Sequence, residues 1–88
     1  MSYELRLSPV AADRIRRLDR IIADRVMKRL RWLSEHFENS KPEALTGRFA
    51  RLYKFKVGSY RVIYSINHEG KVLNVVLFDH RKDAYRAH

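Results

Sequence analysis

Polar and apolar residues alternate at the start of the chain, where Tyr3, Leu5 and Leu7 are separated by Glu4 and Arg6. A period of two belongs to a strand with one buried face. Ser8-Pro9 then reads as a helix start, with Ser at the N-cap and Pro in the first turn, where a missing N–H costs nothing. From there Ala11, Ile15, Leu18, Ile22, Val26, Leu30, Leu33 and Phe37 recur at spacings of three or four. That is one apolar stripe along a helix, with arginines and interleaved aspartates filling the other side as a solvated face. Met27 and Trp32 read as packing residues. Asp19 suits a second helix cap, yet the stripe runs through it, so the pattern predicts two helices or one bent one.

Asn39-Ser40-Lys41-Pro42 ends the helical region, and Thr46-Gly47 closes a polar connector. Three strands are predicted after it, over Arg51–Val57, Tyr60–Ile66 and Val72–Phe78. Gly58-Ser59 places Gly where a two-residue type II′ hairpin requires it. Asn67 to Gly70 makes a looser second hairpin, and the last strand, apolar on both faces, belongs in the interior of the sheet. The expected class is α+β, with helices on one face of a mainly antiparallel sheet in a single domain over residues 1–88.

The short hairpin sets the pairing. Val57 should face Tyr60, Lys56 should face Arg61, Phe55 should face Val62, and Lys54 should face Ile63. One face then carries Tyr53, Phe55, Val57, Tyr60, Val62 and Tyr64 and meets the helices. The other carries Lys54, Lys56 and Arg61, with two cations directly opposed, a destabilising arrangement. An anion held between them would relieve it, and long side chains splayed into water would soften it.

Composition sharpens this picture. The 88 residues hold 19 Lys and Arg against 10 Asp and Glu, a formal charge of +9, and no cysteine. Sulfur-based zinc sites, disulfides and thiolate nucleophiles are therefore excluded. Residues 41–88 carry 10 basic and 4 acidic side chains, against 9 and 6 in residues 1–40. Such a balance suits a polyanionic partner: nucleic acid, an acidic protein or an anionic membrane. No apolar run approaches the length of a membrane helix and the N-terminus lacks the pattern of a secretion signal, so a cytoplasmic protein is expected.

The closing stretch Asp79-His80-Arg81-Lys82-Asp83-Ala84-Tyr85-Arg86 follows the last strand and should emerge beside the hairpin. Arg81 and Tyr85 can join Lys54, Lys56 and Arg61, while His80 suits an accessory acid, a phosphate contact or a structural role. Arginine forks grip phosphate oxygens and tyrosine stacks on an unpaired base. RNA supplies its own nucleophile in the 2′-OH, so a site of fixed cations can cleave it without a metal by aligning the attack and stabilising the charge that develops. Arginines there act as charge stabilisers, and a lysine whose pKa is depressed by neighbouring cations can carry a proton. No histidine pair at metal spacing, glycine-rich phosphate loop or paired-carboxylate arrangement is present.

The element order, the connector Leu45-Thr46-Gly47, the stretch LYKFKVGSYRVIYSI and the closing FDHRKDAYR resemble the RelE/ParE superfamily of bacterial toxins, and its RelE branch in particular. The resemblance implies a type II toxin with the RelE-like fold that cuts mRNA in the ribosomal A site. It needs no cofactor or metal and leaves a 2′,3′-cyclic phosphate and a 5′-hydroxyl. Matched residue by residue, the catalytic set would be Lys54, Lys56, Arg61, Arg81 and Tyr85, with His80, Lys82 and Arg86 as further RNA contacts. The resemblance also implies a RelB-like antitoxin that wraps the toxin with an acidic segment in a hetero-oligomer, and the 30S A site with its mRNA as target. ParE-type relatives share the fold and inhibit DNA gyrase instead. Binding of nucleic acid without cleavage is the further alternative.

Overall fold

The computed structural model describes residues 2–80. Strand β1 (Glu4–Leu7) leads into helix α1 (Pro9–Arg16), and α2 (Arg20–Glu35) follows after a three-residue break. Two helices, rather than one bent one, therefore carry the apolar stripe. Asp19 starts the second of them, its carboxylate accepting from the Ile21 N–H. Ser8 starts the first by accepting from the Ala11 N–H. The buried members of the stripe are Ala11, Ile15, Val26, Leu30, Leu33 and Phe37, with Leu18 and Ile22 packed against them. Among the described residues, no helix is long and apolar enough to cross a membrane.

A single 3-10 turn (Phe37–Asn39) ends the helical region, and a two-residue strand β2 (Glu43–Ala44) and a second 3-10 turn (Gly47–Phe49) fill the connector. The hairpin β3 (Tyr53–Val57) and β4 (Tyr60–Asn67), then β5 (Val72–His80), complete a five-stranded sheet in the order β1-β5-β4-β3-β2. The β3 strand starts two residues later than the pattern predicts, and β5 runs two residues further. All neighbours are antiparallel except β1 and β5. The interior position expected for β5 is the one it takes, between β1 and β4.

The hairpin register is the expected one at every position, Val57 with Tyr60, Lys56 with Arg61, Phe55 with Val62 and Lys54 with Ile63. Gly58 has φ +59°, a left-handed value that a side chain would strain, and this is what the tight turn demands. Helix-side positions Val57, Val62 and Tyr64 join Leu73, Val75 and Phe78 in the core, with Tyr53, Phe55 and Tyr60 packed against it. Burial of Tyr64 pushes its phenol pKa up to about 12, helped by the nearby Tyr53 and Glu43.

One irregularity governs everything at the end of β5. Tyr64 pairs with Val75, but Ile63 pairs with Leu77, so Val76 is an extra residue that bulges out of the ladder. A bulge reverses which residues point to which face. It delivers Phe78 to the core and leaves Val76 exposed. Ser8 pins it there, its N–H donating to the Val75 carbonyl (2.8 Å) and its hydroxyl to the Val76 carbonyl (3.1 Å).

Candidate nucleic-acid interface

Strand alternation puts Lys54, Lys56 and Arg61 on the sheet face away from the helices. Across three strands they form two rows. Lys56 stands opposite Arg61, which stands opposite Asp79; Lys54 stands opposite Ile63, which stands opposite Leu77. Ile63 is buried although it lies outside the helix-side core, and it gives the cations an apolar floor. Lys56 is exposed, whereas Lys54 and Arg61 are half-buried. Charges on such a floor are screened less than charges in open water, so a phosphate beside them is held more strongly.

Two carboxylates temper the patch, and sequence reasoning missed both. Glu43 on β2 lies in register with Lys54, and its carboxylate is 3.5 Å from the Lys54 ammonium. Asp79, only 11% exposed, faces Arg61 in register and forms an ion pair with Arg14 of α1. Asp79 thus lies between two arginines, Arg61 across the ladder and Arg14 on α1. A two-residue strand gives no periodic signal for Glu43, and the Val76 bulge hides the facing of Asp79. Without the bulge Phe78 would take the place opposite Arg61.

His80 is set apart from the three cations. It pairs with Tyr60, on the helix-side face, and its ring meets the Tyr60 ring edge-on at 5.7 Å between centroids. Tyr60 in turn stacks on Phe78 at 5.2 Å. The expected grouping of His80 with the outer-face patch is thus not the arrangement seen, again because the bulge reverses the parity of β5. Arg81, Lys82, Tyr85 and Arg86 lie outside the described residues.

A family model described as the ParE toxin of the type II toxin–antitoxin system parDE matches residues 5–85. The chain belongs to this toxin family. Solved structures agree on the fold. The toxin resembles a RelBE toxin–antitoxin complex chain from Mycobacterium tuberculosis, with TM-score 0.82, 24% identity, and 94% of this chain and 95% of that one covered. A variant of the Escherichia coli RelE toxin in the free state gives TM-score 0.75 at 24% identity, over 98% and 90% of the two chains. The intact E. coli RelBE complex gives 0.68 at 26%, over 90% and 96%. A search of curated proteins gave no significant match. The expected RelE/ParE superfamily is therefore the right one: the matching family model is the ParE one, and these three structural relatives carry RelE names.

Proposed function

We propose that this toxin is a ribosome-dependent mRNA endoribonuclease. The observation that carries the reading is the direct opposition of Lys56 and Arg61, with Lys54 beside them, on a sheet face that the helices leave open. A pair of like charges held in register gains most from an anion placed between them, and a phosphodiester is such an anion.

In this reading the RNA 2′-OH attacks the adjacent phosphorus and the 5′-oxygen leaves, giving a 2′,3′-cyclic phosphate and a 5′-hydroxyl. Arg61, always protonated, stabilises charge on the phosphoryl oxygens. Lys54 and Lys56 hold the phosphate, and between them they take the proton from the attacking 2′-OH and return one to the leaving 5′-oxygen. Arg81 and Tyr85 complete the catalytic set, with Lys82 and Arg86 as outlying RNA contacts. No metal or cofactor takes part in these steps. The work is alignment and electrostatics, and the ribosomal A site presents the mRNA. A cytoplasmic site of action follows from that substrate. A RelB-like antitoxin with an acidic segment is the partner that suits a chain of formal charge +9, and the relatives solved as toxin–antitoxin complexes support it.

A second reading, inhibition of DNA gyrase, is favoured by the identity of the matching family model. One pair of assays separates the two. Mapping the 5′ ends of mRNA on programmed ribosomes should reveal cuts in the A site, and Arg61→Ala should reduce them by about 10²–10³-fold, the usual loss for one transition-state donor. Intact mRNA together with blocked supercoiling would replace the nuclease reading with the gyrase one.

A further inference from the structure

Strand β1 stops pairing with β5 at Leu7 and Val75, and β5 runs on to His80 with β4 on one side only. Helix α1 takes the place beside it, since Ser8 at the helix start is bonded to the Val75 and Val76 carbonyls. Asp79 belongs to the outer face with Arg61, whereas α1 packs Ala11 and Ile15 into the core on the other face. The ion pair between Arg14 and Asp79 therefore spans the sheet edge. Asp13, the neighbour of Arg14 in sequence, is engaged within the helical region, one carboxylate oxygen with Arg16 and the other with Arg17, each at 3.0 Å. Among the described residues, Arg14–Asp79 is the ion pair that joins α1 to the sheet.

Asp79 has a second arginine within reach. Residues paired across antiparallel strands hold their Cβ atoms about 4.5–5.5 Å apart on one face, so Asp79 and Arg61 can meet without movement of the backbone. A carboxylate on Arg61 would occupy donors of its planar fork and cancel the charge it presents to a phosphate. The Asp79 side chain is only 11% exposed, so water relieves its charge little and a neighbouring cation must do so. Arg14 supplies that cation from outside the patch: it is 42% exposed and stands on a helix that carries none of the three patch cations.

We infer that Arg14 is a positioning residue for cleavage: it holds the Asp79 carboxylate over the edge of β5 and keeps it from pairing with Arg61. Without Arg14, Asp79 turns to Arg61 and neutralises the guanidinium that stabilises the phosphoryl oxygens. Activity on the outer face then depends on how α1 docks at the Val76 bulge, the same contact that puts Asp79 on that face. For its effect on cleavage, the inference rests on the reading of the outer face as an RNA site.

Two readouts test this on the full-length toxin. Single-turnover cleavage of mRNA on programmed ribosomes is measured for Arg14→Gln, Asp79→Asn and the double variant. The Arg61 Nε–H signal is followed by NMR in each, assigned from its loss in Arg61→Lys. Arg14→Gln should slow cleavage about 10-fold, the low end of what a charge-assisted hydrogen bond supports, and should shift the Arg61 signal. Asp79→Asn should cleave at least as fast as the parent. Adding it to Arg14→Gln should restore the rate and bring the signal back toward the parent position. Arg14→Lys, which keeps a cation for Asp79 and guards against a folding defect, should retain most of the rate. An ion pair that served stability alone would leave the double variant no faster than Arg14→Gln. That result, or an Arg61 signal unmoved by Arg14→Gln, would overturn the inference. Message left uncut by the parent toxin would overturn the nuclease reading instead, and the Arg61 signal would still decide whether Arg14 holds Asp79 away.

Discussion

Replacing Lys56 by Gln should make the toxin more stable while making it less active. Lys56 is exposed on β3, directly opposite Arg61, with Lys54 two residues away on the same face. Cβ atoms in such a pair are about 5 Å apart, and long side chains let the charged ends part to roughly 7 Å. Two unit charges at that separation repel by about 0.6 kcal/mol in a water-like dielectric and by about twice that where the effective dielectric is halved by the sheet. Lys54 adds a few tenths more. Asp79, beyond Arg61 and two strand spacings or roughly 10 Å from Lys56, returns about 0.4 kcal/mol. The net gain on removing the Lys56 charge is about 0.5–1 kcal/mol, worth roughly 2–8 °C in Tm for a domain of this size.

Urea denaturation of the two proteins at low salt and in about 1 M NaCl checks the reasoning, since the Debye length shrinks from tens of ångströms to about 3 Å. The low-salt advantage of Lys56→Gln should largely vanish at high salt, while A-site cleavage falls at both. A variant less stable than the parent at low salt, or an advantage indifferent to salt, would mean that the Lys56 stem contributes through packing and that the opposed cations cost the fold nothing.

Two further outcomes follow from the backbone and the core. Gly58→Ala should cost about 1 kcal/mol: the left-handed φ strains any side chain, while the space around the new methyl is open, and the urea midpoint reads the loss. Tyr64 has its pKa raised by burial to about 12 from 10, so the unfolded chain loses that proton first as pH rises. Its stabilising effect is complete below about pH 10 and is lost progressively up to about pH 12. Tm measured from pH 8 to 12 should therefore fall less steeply for Tyr64→Phe than for the parent, and parallel curves would rule the effect out.

Local signals made much of the fold readable. Ser8-Pro9 and Asp19 cap helices through their own backbone neighbours, the stripe from Ala11 to Phe37 has a helical period, and Gly58 forces a turn that admits one register. These are interactions among residues close in the chain, so short stretches of sequence contain them whole. The opposition of Lys56 and Arg61 is legible for the same reason, because only two residues separate their strands.

Asp79, Glu43 and His80 were misjudged or missed, and each depends on pairing with a strand further along the chain. Glu43 meets Lys54 through a strand too short to alternate. Trp32, expected to be a packing residue, is instead partly exposed, with Arg29 and His36 stacked against it on α2. Residues 72–78, apolar on both faces, concealed the bulge at Val76, and that single extra residue decides whether Phe78 or Asp79 faces Arg61. Sequence by itself determined the helices, the hairpin and the pairing of its cations, because those rest on periodicity and one turn. Only the tertiary structure decided which carboxylates and aromatic rings surround them. Face parity in β5 is set by where α1 docks on the strand, and a docking contact between residues 8 and 76 leaves no local trace.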